Sequence, residues 1–523
     1  MIVRGGRAGG PGGASPELAG LADTVLQPGF VGVEVPDWLR RRLAEGLGGV
    51  ALYSRNIVDR AQVAALTAAL RAENPDVVIA TDEEAGDVTR LEALTGSSRP
   101  GNLALGAVDD PELTERVARE IGADLAAAGI TLNYAPVVDV NSDLDNPVVG
   151  TRAFGSDPRL VARHARAWVA GLQSAGVAAC AKHFPGHGAT AVDSHDDLPT
   201  VALPADELAA TALPPYRAAI EAGVRAVMTG HLLVPAYDPD APATMSGRIL
   251  VGLLREELGF EGLIVTDGVE MPSVAERYGV TGAAVRALAA GADAICVGGE
   301  RKGAGVVGFL RNAIMAAVMD GTLPEERLAE AAGRVRRLAA WSAERRAARE
   351  AGMPGREASI PGQAAGGPAG LAAARRALRV DGGGLPLSGA PQVIEFSSAT
   401  NIAVDRATPW GVAAPLAELL PGTAAVRLGP GDPVPTPAGD RPLVIVVRDA
   451  HRHAWVRERL DALLSRRPDA IVVEMGLPGP VAPGAARIIT HGATAASGRA
   501  AAELLAGRVF GADQVPAAQT SSY

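Results

Sequence analysis

Between residues 29 and 300, short apolar runs recur, each followed by a longer stretch with helical spacing. The runs are GFVGVEV (29–35), GGVALYS (48–54), DVVIAT (76–81), GITLNYA (129–135), GVAACA (176–181), VRAVMTG (224–230), GLIVTD (262–267) and ADAICVG (292–298). They are continuously apolar, without alternation of inward and outward residues, as expected of strands buried on both faces of a parallel sheet. Stretches such as Asp59 to Arg71 and Asp110 to Ala128 supply crossover helices. This succession predicts a TIM-type (β/α)8 barrel, with an open doubly wound sheet as the alternative that periodicity leaves standing.

Helical spacing continues over 325–350 and then stops in AGMPGREASIPGQAAGGPAG (351–370), which can hold no core and reads as a linker. Beyond it PQVIEFSS, PLVIVVRD, DAIVVEMG and ARIITHG alternate with helices near Trp410 to Leu420, Trp455 to Arg466 and Gly498 to Phe510. The chain is therefore expected to comprise a flexible N-terminal segment (1–27), a barrel catalytic domain (28–350), the linker (351–370) and a smaller α/β sandwich domain (371–523).

Composition narrows the partners. A length of 523 residues exceeds one small module, and a net charge of −10 offers no basic footprint for nucleic acid or anionic lipid. Two cysteines, Cys180 and Cys296, cannot form a disulfide framework for such a chain, which fits a reducing compartment. Residues 1–15 lack the apolar core of a secretory signal, and no run is long enough to span a bilayer, so a cytoplasmic protein is expected. The oligomeric state is not legible.

In a TIM-type barrel the chemistry lies just past the strand ends. Those positions hold Asp82, Asp139, Arg152, Lys182, His183, His231 and Asp267. The densest segment is Lys182-His183-Phe184-Pro185-Gly186-His187-Gly188, followed by Asp193-Ser194-His195; its Pro and Gly residues exclude a helix and predict a shaped loop. An Asp two residues before a His can orient the imidazole and favour its protonated form, as a general acid/base requires. An Asx-turn beside a solvated His explains the same pair. Asp267 reads equally as a nucleophile or as the N-cap of a helix through Met271 to Tyr278. Asp82 and Arg90 suit a hydroxyl-rich ligand. All basic residues except Lys182 and Lys302 are Arg, so a Lys inside the richest segment stands out.

Taken together, KHFPGHG, Asp193-Ser194-His195 and Thr266-Asp267-Gly268-Val269-Glu270-Met271 resemble the β-N-acetylglucosaminidases of glycoside hydrolase family 3. GGVALYSRNI (48–57), the segment Asp82 to Arg90, Asn133 to Asp139 and Gly150-Thr-Arg-Ala-Phe154 match in the same order, over about residues 28 to 340. The resemblance implies a retaining exo-enzyme of cell-wall recycling that removes terminal N-acetylglucosamine from peptidoglycan-derived fragments. It implies Asp267 as nucleophile, His195 as acid/base assisted by Asp193, and Asp82, Arg90, Arg152, Lys182 and His183 as sugar-binding groups. It implies no cofactor and no metal. This chain departs from the pattern at Ala85, where Gly is usual, at Asp87, where Arg is frequent, and at Gly268-Val269.

Three other readings compete. A His acid/base repels phosphate less than a carboxylate does, so a phosphorylase on the same scaffold is the nearest alternative. His183, His187, Asp193 and His195 also have the residue types of a zinc hydrolase, although their spacing is not that of a helical zinc motif. A non-catalytic sugar-binding protein is the third.

Overall fold

The computed structural model describes residues 15–190, 198–298, 303–352, 368–401, 403–437, 439 and 441–508. Eight short strands lead the first part of the chain: β1 (Leu26–Pro28), β2 (Gly49–Leu52), β3 (Val78–Thr81), β4 (Leu132–Asn133), β5 (Ala178–Phe184), β6 (Ala226–Thr229), β7 (Leu263–Thr266) and β8 (Ile295–Val297). Strands β2 to β7 pair in chain order, all parallel, and β1 pairs parallel with β8. A bridge between Val265 and Ala294 joins β7 to β8, and the Gly48 amide donates to the Asp23 carbonyl beside the start of β2. The result is a curled, all-parallel α/β arrangement whose strands are buried along their whole length.

The crossover helices start where local chemistry dictates. Pro111–Ala127 and Pro158–Ser174 each carry Pro in the first turn behind an Asp cap, with Asp110 accepting from the Leu113 amide at 3.0 Å and Asp157 from the Arg159 amide at 2.9 Å. The two helices pack against one another.

Two boundaries differ from expectation. The segment expected to be flexible up to residue 27 contains a helix, Pro16–Thr24, and β1. Ser15 caps the helix by accepting from the Leu18 amide, and Leu18, Leu21, Ala22, Val25 and Leu26 are buried. That apolar stripe is short, but it has a core to pack on. Residues 1–14 lie outside the described residues. Conversely, GFVGVEV is not a strand: Val31 is 65% exposed and Gly32 adopts φ +104°. The chain leaves the sheet at Gly29, whose missing Cβ would sit 2.4 Å from the Gly298 carbonyl oxygen.

The second domain is a sheet in the order β11-β10-β12-β13-β14-β9, formed by β9 (Arg379–Gly382), β10 (Gln392–Phe396), β11 (Ala424–Leu428), β12 (Leu443–Val447), β13 (Ile471–Glu474) and β14 (Ala486–Ile489). All neighbours are parallel except β9, which closes one edge antiparallel. Val393, Val444, Val446 and Val473 face helices Pro368–Ala377, Ala413–Leu419 and Ala495–Leu505, while Ile394, Ile445, Val447 and Val472 face Ala454–Arg466. The edge strands β9 and β11 are mostly exposed or half-buried, and each is interrupted by charged residues, Arg379 and Asp381 in one and Arg427 in the other, so no long apolar run announces them.

Residues 353–367 lie outside the described residues. The end of the expected linker is already helix, because Gly370 packs against the Ser98 carbonyl, where a Cβ would be only 2.5 Å away. The same helix is tied to the first domain by Arg376, which pairs with Asp110 at 2.7 Å. No helix among the described residues is long and apolar enough to cross a membrane.

Candidate functional site

A cavity of about 530 Å³ opens at the C-terminal ends of the parallel strands. It brings together Asp82, Arg90, Arg152, Lys182, His183 and Asp267, six of the eight residues that the resemblance gives a role. The other two, Asp193 and His195, lie outside the described residues.

The three carboxylates after β3 have separate tasks. Asp82 accepts from the Lys182 ammonium at 2.7 Å. Glu83 turns back on its own loop, accepting from Thr89 Oγ1, the Arg90 amide and the Leu91 amide at 3.0, 2.8 and 2.9 Å. Glu84 takes both Nε and Nη2 of Arg152, at 2.9 and 2.7 Å, and stands 2.7 Å from the Lys182 ammonium. Burial alone would raise the Glu84 pKa, but the Arg152 and Lys182 charges hold it well below the usual carboxylate range. Burial likewise opposes the charge on Lys182, and Asp82 and Glu84 overcome it, so its pKa is raised. Two carboxylates and two cations thus form a charged, nearly dry floor that is fixed before any ligand arrives.

The segment expected to be a loop from Lys182 is strand as far as Phe184. The Lys182 amide bonds the Pro136 carbonyl, and its own carbonyl accepts from Val138, which extends β5 through the irregularity between Ala181 and Phe184. His183 Nδ1 meets Asp139 Oδ2 at 2.8 Å, while Asp139 Oδ1 accepts from the His187 amide at 2.8 Å. Burial would raise the Asp139 pKa, but His183 lowers it. His187 is turned inward onto Thr190 Oγ1 at 2.7 Å, and burial lowers its pKa to about 4, so it is neutral at pH 7. Among the described residues no group of three or more His, Cys, Asp and Glu could hold a metal ion.

Asp267 follows β7, and its Oδ1 accepts from the Gly268 amide at 2.8 Å. It is not the cap of the next helix, since that helix is Pro272–Tyr278 and Met271 occupies the cap position. The side chain is therefore not committed to a helix end. His231 is buried behind the turn, with Nε2 facing the Gly268 carbonyl at 3.0 Å and Nδ1 against Thr244 Oγ1 at 2.9 Å. A nitrogen that faces a carbonyl carries the proton, so His231 fixes the turn as a donor.

Several groups carried no role in the sequence reading. Glu84 follows two other acids, Asp82 and Glu83, and nothing in its spacing distinguishes it. Glu270 lines the cavity and accepts from the Gly298 amide. Arg55 lies 4.5 Å over the Tyr53 ring on the same wall. Ala403, from the second domain, also lines the cavity.

Two departures from the family pattern acquire a structural setting. Ala85 adopts φ +59°, the left-handed conformation that favours the Gly usual there. Asp87 is not at the cavity surface: its carboxylate pairs with Arg448 of the second domain at 2.8 Å.

Residues 31–338 match the Glycosyl hydrolase family 3 N terminal domain. Over 286 residues the chain is 37% identical to the beta-hexosaminidase of Xanthomonas axonopodis pv. citri (strain 306), a match covering 54% of this chain and 82% of that one. It is 36% identical over 268 residues to beta-hexosaminidase A of Pseudoalteromonas piscicida, a match that spans 47% of this chain but only 45% of the longer relative. The fold resembles a family 3 beta-N-acetylglucosaminidase from Paenibacillus sp. str. FPU-7, with TM-score 0.83, 32% identity and coverage of 96% of this chain and 99% of that one. This last likeness extends across both domains.

Proposed function

The chain belongs to glycosyl hydrolase family 3 and is a glycosidase; we propose that it is a retaining exo-β-N-acetylglucosaminidase acting on short, peptidoglycan-derived fragments. The observation that carries this reading is the cavity that Asp267 lines together with the fixed floor of Asp82, Glu84, Arg152 and Lys182. The eight parallel strands are taken as a closed (β/α)8 barrel presenting that cavity at its C-terminal mouth. Its volume of about 530 Å³ suits a small ligand enclosed at one end. The relatives named beta-hexosaminidase and beta-N-acetylglucosaminidase support the sugar.

In this mechanism the Asp267 carboxylate attacks the anomeric carbon while the glycosidic C–O bond breaks, and His195 delivers its proton to the departing oxygen. Water then attacks the glycosyl-enzyme, gives a proton to His195 and releases Asp267, so the configuration is retained after two inversions. Asp193 orients the His195 imidazole. Asp82, Arg90, Arg152, Lys182 and His183 hold the sugar hydroxyls and so set the distance of attack.

Glu84 touches no reacting atom in this scheme and acts through Arg152 and Lys182. Glu84→Gln keeps the shape but removes the charge that both cations balance. A hydrogen bond to a charged group contributes about 1.5–3 kcal/mol, so KM for a nitrophenyl N-acetylglucosaminide is expected to rise roughly 10- to 100-fold. Steady-state kinetics check this, and an unchanged KM would assign the Glu84 network to stability alone.

The reaction itself is tested by incubating the enzyme with an N-acetylglucosaminide in phosphate and in phosphate-free buffer and identifying the sugar by mass and NMR. Free N-acetylglucosamine, appearing first as the β anomer at equal rates in both buffers, is expected. N-acetylglucosamine 1-phosphate formed faster than the free sugar would make the enzyme a phosphorylase, and no turnover of the glycoside would overturn the reading of the site.

A further inference from the structure

We propose that Asp87 and Arg448 are a positioning pair through which the second domain sets the geometry of the sugar-holding loops; this rests on the reading of Asp82, Arg90 and Arg152 as sugar-binding groups. The starting point is a charge in an unexpected place. Asp87 lies in the loop that follows Asp82, at a position where an Arg is frequent in the family, and it is buried at the junction of the two domains.

One carboxylate gathers four chain segments. Asp87 Oδ2 accepts from Arg448 Nη2 at 2.8 Å and from Thr151 Oγ1 at 2.8 Å, while Oδ1 accepts from the Ala493 amide at 2.7 Å. Thr151 immediately precedes Arg152, Arg448 immediately follows β12, and Ala493 lies just beyond β14. The side chains of Asp87 and Arg448 are only 3% and 6% exposed, so solvent does not screen the pair.

Two further contacts cross between the domains beside it. Arg90 Nη1 donates to the Ala403 carbonyl at 2.9 Å. Asn401 Nδ2 donates to the Val148 carbonyl at 3.2 Å, and Arg152 Nη1 reaches that same oxygen at 3.0 Å. The second domain therefore grips two of the segments that carry sugar-holding groups, one at Asp87 and Arg90, the other at Val148 and Thr151. A shift of that domain would move Arg90 and Arg152 together. Replacing a buried ion pair with apolar groups is often neutral for stability, whereas a displacement near 1 Å is costly at a binding site, so the pair is expected to act on geometry more than on folding.

The test uses the full chain, with 4-nitrophenyl N-acetyl-β-glucosaminide as substrate and thermal unfolding as control. Arg448→Met leaves Asp87 buried without its cation and is expected to melt earlier, so the deciding variant is Asp87→Asn combined with Arg448→Met, which removes both charges. The double variant is expected to melt close to the wild type, with KM raised about tenfold or more and kcat changed far less. Arg448→Lys, which keeps the cation, is expected to recover part of the loss. A folded double variant with wild-type KM would overturn the proposal and leave the pair a purely structural contact. If the wild type itself fails to turn over the glycoside, the reading of the site falls and takes the proposal with it; wild-type turnover with unaltered KM in the variants overturns the positioning role alone.

Discussion

Asp267→Ala is expected to lower kcat on any N-acetylglucosaminide by at least about 10³-fold, equivalent to about 4 kcal/mol of barrier, because the proposed reaction then lacks its nucleophile. The fold should be retained. Asp267 is not the cap of the Pro272–Tyr278 helix, and the turn that follows it is held separately by His231 on the Gly268 carbonyl. Truncating a side chain outside the core usually changes stability little. Loss of turnover with a preserved melting temperature is thus the expected pair of results. Added azide supplies a sharper check. With the carboxylate gone, a small anion can occupy the vacated face and attack the anomeric carbon of an activated aryl β-glycoside, giving the α-glycosyl azide by a single inversion. Activity within a few fold of the wild type would remove Asp267 from the nucleophile's role.

The eight apolar runs and the polar residues behind them made the first domain legible, because strands covered on both faces leave a continuous apolar trace in the sequence. Six of those runs contain the strand they predict, and the fifth, 176–181, opens a strand that continues to Phe184. The first fails because Gly29 and Gly32 let the chain turn out of the sheet, leaving Val31 exposed and the pairing to the residues just before it. In the second domain four strands announced themselves and two did not. Arg379–Gly382 and Ala424–Leu428 lie at sheet edges, where one side of the strand needs no apolar cover.

The site was legible in part for a similar reason. Asp82, Lys182, His183 and Asp267 stand at or directly after the ends of the apolar runs, and Arg152 in the segment behind one, so counting from each run finds them. Glu84 and Asp87 are positions in an irregular loop, and what distinguishes them is a partner far away in the chain: Lys182 and Arg152 for the first, Arg448 for the second. No local spacing encodes such pairs. The charge inversion at Asp87 was visible as a departure, but its meaning depended on a domain contact that one sequence without its fold does not reveal.

The assignment of His195 as acid/base yields the most discriminating expectation, since it concerns the leaving group and not merely the loss of rate. Protonation of the departing oxygen matters in proportion to how poor a leaving group it is. A sugar hydroxyl needs the proton, whereas a nitrophenolate, whose conjugate acid has a pKa near neutral, leaves without it. His195→Ala should therefore slow glycosylation by an N-acetylglucosamine disaccharide by about 10²–10⁴-fold, the usual contribution of general acid catalysis, while glycosylation by the nitrophenyl glycoside falls far less. Asp193→Asn should show the same pattern in weaker form, because it leaves the imidazole in place but without the carboxylate that orients it and favours its charged form. Pre-steady-state release of nitrophenolate isolates the step: in the His195→Ala variant it should appear as a burst followed by a slower phase, since the same residue must also deprotonate the attacking water. Equal losses on both substrates at the glycosylation step would show that His195 does not deliver the proton, and the acid would then have to be sought among the other ionisable groups lining the cavity, with Glu270 the first to be replaced.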